Sequence, residues 1–342
     1  MVNEEDLEPL RKFLKRCGLS AHPESATVTP LTGGVSSDLW RIDLPERAVC
    51  VKRALPRLRV ADEWHAPIDR NAVEYAWLEM AANHRPGNVP KLLARDVDAG
   101  LFAMEYLPYP VWKAELMAGR VEPTFAAKVG LVLGDLHQAS AADPTLMKVF
   151  ATGENFDALR LEPYLRVTAR RHPAMAPTLL ALANRTSDTS LAVVHGDVSP
   201  KNILLAPGGP VFLDAECACF GDPAFDVAFC LAHLALKMLI RPDRVNELSQ
   251  SADAFVTAHA SRVTWEPPDI LDIRAATLLP ALLLARVDGA SPVEYLTPPE
   301  QEAVRDVASA MLVEQQTSTR RVLDRWTDTV EGRIRRQPGL RG

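Results

Sequence analysis

The residues best suited to chemistry lie in one run, Val193-Val194-His195-Gly196-Asp197-Val198-Ser199-Pro200-Lys201-Asn202-Ile203-Leu204-Leu205. An apolar stretch leads in, a polar loop follows, and a second apolar stretch leads out. Ala206-Pro207-Gly208-Gly209-Pro210 has the composition of a turn, and Val211-Phe212-Leu213-Asp214 follows it. The pattern predicts strand, loop, strand, turn and strand, with Asp197, Asn202 and Asp214 held close together. Phosphoryl transfer from ATP needs such a set. One carboxylate orients an attacking hydroxyl and accepts its proton, while an amide oxygen and a second carboxylate hold magnesium. An Asp alone in a loop more often caps a turn, so the weight rests on the ordered set.

The chain that must position these residues has 342 of them, a length suited to two lobes or domains. Hydrophobic residues make up 47% and charged residues 24%, which implies a packed core. A net charge of −6 argues against a general nucleic-acid-binding surface. The acidic start, Met1-Val2-Asn3-Glu4-Glu5-Asp6, is unlike a signal peptide. The most apolar runs, 227–240 and 275–285, are short and interrupted by His233, Lys237 and Pro280, so no membrane span is expected. Five cysteines without an export signal imply reduced thiols and a cytoplasmic location. Cys217-Ala218-Cys219 lacks the second pair that a metal site would need, and buried small residues are the commoner role. Oligomeric state is left open.

Taken in order, Leu7, Leu10, Phe13 and Leu14 mark a short amphipathic helix ended by Gly18. Thr27–Leu31 reads as a strand whose Pro30 suits an edge. The Gly-rich stretch Thr32–Ser37 follows, then strands at Leu39–Ile42 and Ala48–Lys52. Backbone N–H groups in a turn such as Gly33-Gly34-Val35-Ser36 can approach phosphates, although Gly-Gly also makes ordinary hairpins. Leu55–Arg70 is a long connector carrying Trp64. Asn71–Asn83 has helical spacing, and Asn71 with Glu74 also fits a capping box. Val89–Asp96 and Leu101–Leu107 read as a hairpin around Asp98-Ala99-Gly100, running into Pro108 and Pro110. Beyond this the pattern is mostly helical: Phe125–Ala141, a helix opened by Asp222-Pro223 and reaching about Ile240, Ile270–Val287, and one long stretch from Pro299 to Thr329.

His-Gly-Asp-x-x-x-x-Asn at 195–202, an Asp after an apolar strand at 214, and Gly221-Asp222-Pro223-Ala224-Phe225-Asp226 together resemble the aminoglycoside phosphotransferase and choline kinase group of small-molecule kinases. The resemblance runs from about Gly33 to Arg286. It implies an α+β, two-lobed protein-kinase-like fold: a small antiparallel-sheet lobe over residues 1–107 that binds nucleotide, and a larger helical lobe over 108–342 for catalysis and substrate. It implies ATP and Mg2+ as cofactors and a hydroxyl-bearing small molecule, an antibiotic or a sugar-like metabolite, as the partner. Asp197 would be the base, and Asn202 and Asp214 the metal ligands. Gly33, Gly34, Ser36 and Lys52 would hold the nucleotide's phosphates. Glu74, by family spacing, or else Glu79, would pair with Lys52. Backbone groups at Glu105 to Leu107 would hold adenine. His195 and Asp226 would brace the loop.

The connector and Arg286-Val287-Asp288-Gly289 further resemble 5-methylthioribose kinases, which would set Trp64 and Arg286 near the substrate. Those kinases carry Ser where this chain has Asn202. Arg286 also suits a surface brace to Asp288 or Glu294. A protein kinase is disfavoured because Ala215-Glu216-Cys217 follows Asp214 and Gly221-Asp222-Pro223 arrives early. The remaining alternative is a nucleotide-binding module without catalysis.

Overall fold

The computed structural model describes residues 4–31, 37–54 and 70–336. The chain divides into two compact units, residues 1–109 and 110–342. The first contains α1 (Glu4–Arg16), β1 (Thr27–Pro30), β2 (Ser37–Asp43), β3 (Ala48–Ala54), α2 (Arg70–His84), β4 (Leu92–Asp96) and β5 (Leu101–Glu105). Its strands form one antiparallel sheet in the order β1-β2-β3-β5-β4. Pro30 sits on the edge strand, where a missing N–H costs little. Trp40 and Ile42, Val49 and Val51, and Leu101 and Ala103 recur at period two and share one core with Leu10, Phe13 and Leu14 of α1. Burial of each large member contributes roughly 1.5–3 kcal/mol. Asn71 does not cap α2; it lies inside the helix, and its amide donates to the Gly100 carbonyl at 2.5 Å.

The second unit is helical around two small ribbons. Its elements are α3 (Trp112–Met117), α4 (Pro123–Ser140), α5 (Pro144–Val149), α6 (Gly153–Phe156), α7 (Val167–Arg171), α8 (Ala176–Asp188), β6 (Ala192–Val194), β7 (Ile203–Ala206), β8 (Gly209–Phe212) and β9 (Cys219–Gly221). The helices α9 (Pro223–Ile240), α10 (Val245–Ala260), α11 (Pro268–Asp288), α12 (Pro298–Leu312) and α13 (Thr319–Arg336) complete it. A π-helical segment, Asp157–Arg166, joins α6 to α7. β6 pairs with β9 and β7 with β8, both antiparallel. The short strand β9 has no pattern of its own in the sequence.

α9 is 18 residues long and apolar enough to cross a membrane by length and composition alone. Its window is 94% buried inside the protein, so it is the unit's central core helix. The expected single helix from Pro299 to Thr329 is broken in two. Asp272 of α11 accepts hydrogen bonds from the backbone N and Oγ1 of Thr319, giving a second helix its own start.

Candidate active site

β6 and the ribbon β7–β8 deliver the two ends of the polar loop, and α9 fixes its middle. Asp222 caps α9 by accepting from Ala224 N, with Pro223 in the first turn. One turn in, the buried Asp226 accepts from His195 N (2.7 Å) and Gly196 N (2.8 Å), and its Oδ2 lies 3.2 Å from His137 Nε2. Gly196 has φ +77°, and a Cβ there would lie 2.7 Å from the Cys217 carbonyl oxygen, so only glycine fits the bend. The His195 ring spans the loop. Nδ1 accepts from Asp197 N at 3.1 Å, and Nε2 donates to the Leu213 carbonyl at 3.0 Å. Burial dominates the nearby carboxylates and holds this imidazole below its usual pKa, hence neutral.

Asp197 follows directly. Its carboxylate is buried and pairs through Oδ2 with Arg160 Nη2 (2.9 Å) and Lys201 Nζ (3.0 Å). Burial alone would raise its pKa, but Lys201 and Arg160 outweigh it and hold the group below the usual carboxylate range. It is therefore ionised. Asn202 donates through Nδ2 to the Asp197 carbonyl at 3.1 Å, which turns the other end of the amide, Oδ1, away from that carbonyl. The Asn202 carbonyl accepts from Leu213 N at 2.9 Å, tying the loop to the residue before Asp214. Asp214 adopts φ +65°, a conformation costly for a residue with a Cβ and common at functional sites. An amide oxygen and a carboxylate on adjoining backbone suit a magnesium ion that also takes phosphate oxygens. Among the described residues no group of three or more His, Cys, Asp or Glu is arranged to hold a metal unaided.

Arg160 had no signal in the sequence. It sits in the π-helical segment, buried, and donates through Nε to the Gly196 carbonyl (2.5 Å) as well as to Asp197. Burial works against its charge, yet the neighbouring Cys217, Asp197, Tyr164 and Glu216 push its pKa further up. The flanking Leu159 and Leu161 read as ordinary helix core, so only the tertiary fold reveals what the guanidinium meets. Cys217 and Cys219 are buried, and burial raises both thiols.

In the first unit Lys52 Nζ lies 2.5 Å from Glu74 Oε2, and both side chains are buried. Glu79 is exposed on the opposite side of α2, so Glu74 is the partner. Glu105 is committed within its own unit. Its N–H donates to the Lys91 carbonyl, and its carboxylate accepts from Lys91 N at 2.8 Å. Tyr106 N donates to the Ala48 carbonyl. Leu107 N–H has no hydrogen bond among the described residues. Gly33, Gly34, Ser36 and Trp64, with connector residues 55–69, lie outside the described residues. Arg286 neither meets solvent freely nor pairs with Asp288 or Glu294. It is buried, with Nη1 donating to Tyr164 Oη at 3.0 Å and to the Ser291 carbonyl. Asp288 is taken instead by Arg305 and His172.

A sheet-bearing N-terminal unit, a helical second unit and this loop define a protein-kinase-like phosphotransferase fold. The phosphotransferase enzyme family model matches residues 27–262, more than half of the chain, and the chain belongs to that family. It is 26% identical over 247 residues to a methylthioribose kinase of Yersinia pseudotuberculosis, covering 64% of this chain and 60% of that protein. The chain thus spans about 60% of the length of such curated relatives. A Plasmodium vivax ethanolamine kinase shares the fold at TM-score 0.56 and 12% identity, over 96% of this chain and 89% of that one. The amicoumacin kinase hAmiN, solved with AMP-PNP, Ca2+ and Ami, does so at TM-score 0.54 and 16% identity, over 95% and 96% of the two chains.

Proposed function

We propose that the chain is an ATP-dependent kinase that phosphorylates a hydroxyl of a small molecule. The observation that carries this reading is the loop itself. Asp197 is buried and ionised, and the next polar turn sets the Asn202 amide and the Asp214 carboxylate on adjoining backbone. Asp197 accepts a hydrogen bond from the acceptor hydroxyl, orients its oxygen, and takes the proton as the new P–O bond forms and the γ-phosphoryl group's bond to the leaving ADP breaks. A carboxylate held below its usual range is a weak base. That suffices where the transition state is loose and the proton leaves late. Asn202 Oδ1 and Asp214 are the residues that would hold Mg2+, whose bound charge neutralises the phosphates. Lys52, fixed by Glu74, is the residue for the nucleotide's phosphates, and Leu107 N–H for its base. Lys201 is half exposed, with its ammonium on Asp197, so it can move between that carboxylate and an arriving phosphoryl group.

The relatives' name makes a thio-sugar one acceptor to test, alongside the antibiotics that the wider resemblance suggests. Cytoplasmic ATP would supply the donor. The test is transfer of γ-labelled phosphate from ATP to a panel of hydroxylated acceptors, with and without magnesium. Labelled acceptor formed only with magnesium supports the reading. Nucleotide binding without transfer to any acceptor would return the chain to a non-catalytic module.

A further inference from the structure

Beyond the loop, the second unit gathers basic side chains that its own carboxylates do not balance. His233 and Lys237 lie one turn apart on α9, Arg286 near the end of α11, Lys113 on α3, and Glu294 and Tyr295 in the segment before α12. Lys237 is 1% exposed and makes no ion pair among the described residues. Its ammonium instead sits 3.6 Å from the centre of the Tyr295 ring, with the Lys113 ammonium 5.6 Å from the same centre. Among the described residues the carboxylate that favours a charged Lys237 is Glu294, and it is paired with Lys113 at 2.5 Å. Burial, then Lys113 and Arg286, drive the Lys237 pKa down to about 7 against the opposing pull of Glu294. Burial and the positive charges of Arg286, Lys237, Lys201 and Lys113 likewise hold His233 well below its usual value.

Three polar atoms here are buried without a hydrogen-bond partner among the described residues: His233 Nε2, Arg286 Nε and Tyr295 Oη. A buried polar atom left unpaired is costly, and a fold that keeps three beside a buried ammonium with no ion pair among the described residues is built for something that pairs them. The cluster also shares two aromatic neighbours, Tyr164 and Phe229, with the proposed reaction centre. Arg160, on Asp197, lies 5.8 Å from the ring centres of both Tyr164 and Phe229. Arg286 in turn donates to Tyr164, and His233 packs edge-on against Phe229 at 5.0 Å. Towards solvent the cluster ends at the partly exposed Lys113 and Glu294.

We propose that Lys113, His233, Lys237 and Arg286 form an anion subsite, so that the acceptor phosphorylated at Asp197 carries a carboxylate or phosphate group as well as its hydroxyl. This rests on the kinase reading for the acceptor's other end, but not for the binding of the anion. The same charges repel a polycation such as an aminoglycoside.

The test is calorimetric binding to the full chain without nucleotide, using acceptors that differ chiefly in charge: glucuronate, glucose and glucosamine, with ribose 5-phosphate against ribose. Glucuronate or ribose 5-phosphate should bind at least about ten-fold more tightly than its uncharged or cationic counterpart, and which of the two binds separates carboxylate from phosphate. For glucuronate, whose own charge is constant in this range, affinity should fall as pH rises from about 6 to about 8.5, because Lys237 loses its proton there; the groups that face it are Lys113, Arg286, Glu294, held below the usual carboxylate range, His233, held well below the imidazole value, and Tyr295, pushed above the usual phenol value. Lys237→Met should abolish the preference and raise the melting temperature by removing a buried like charge; Lys237→Arg should keep the preference. A purely structural lysine would do the reverse, its loss lowering the melting temperature and leaving ligand preference alone. Equal affinities, absence of binding by both anions at millimolar concentration, or a preference that survives Lys237→Met overturns the proposal. Anions that bind but are never phosphorylated by Mg-ATP would instead sink the kinase reading alone.

Discussion

Asp226→Asn is the perturbation that most sharply tests how the loop is held. The carboxylate serves three donors: His195 N at 2.7 Å, Gly196 N at 2.8 Å and His137 Nε2 at 3.2 Å. Asparagine keeps the shape but has one oxygen. Whichever way the amide turns, its NH2 faces a buried N–H. The cheaper arrangement gives the oxygen to His195 and His137 and leaves Gly196 N–H opposed. One unpaired buried donor costs about 1–3 kcal/mol, and losing the charge weakens the two remaining bonds by about half, so the sum is about 3 kcal/mol. Asp226→Ala loses all three bonds and leaves a cavity, at about 5 kcal/mol. Urea unfolding at 25 °C, with unchanged slope, measures both. A loss under about 1 kcal/mol for Asp226→Asn would refute the account, because the loop would then hold its shape without this carboxylate.

Further outcomes follow from single contacts. Gly196→Ala forces a Cβ against the Cys217 carbonyl at φ +77° and should cost about 3 kcal/mol in the same unfolding assay. Glu74→Gln leaves Lys52 buried without its anion and should cost about 3 kcal/mol, most of it recovered in Lys52→Met/Glu74→Leu. His195, His233 and His259 have folded pKa values below the imidazole norm, so the folded state binds fewer protons than the unfolded chain. Their contribution to stability is present above the unfolded pKa of about 6.5 and is lost as pH falls below it, and thermal melts between pH 7 and 5 should show that fall. His259→Gln should flatten part of it.

Much of this architecture was legible because it is written locally. Period-two apolar residues gave the sheet of the first unit, and Asp222-Pro223 gave the start of α9. The loop residues Asp197, Asn202 and Asp214 were legible as a set because their spacing is contained in one ribbon. What escaped depends on distant contacts. Arg160 reaches Asp197 across 37 positions of sequence from a segment that looks like ordinary helix. The break between α12 and α13 comes from Asp272, far upstream, capping Thr319. Arg286 read either as a residue near the substrate or as a surface brace to Asp288 or Glu294, yet the turn after α11 folds Ser291 back onto it and Tyr164 accepts from it. The cluster around Lys237 was invisible for the same reason: its members come from α3, α9, α11 and the segment before α12, and no local pattern joins them.

The most direct test of the central claim replaces one atom of the loop. With an acceptor in hand, phosphorylated product is measured for wild type and Asp197→Asn, and Mg-ATP affinity is measured by calorimetry on both. Asparagine can still sit between Arg160 and Lys201, but it cannot take a proton. The account predicts that transfer falls by about 10²–10⁴-fold while Mg-ATP affinity stays within about a factor of two. Product formation by Asp197→Asn at close to the wild-type rate would contradict it.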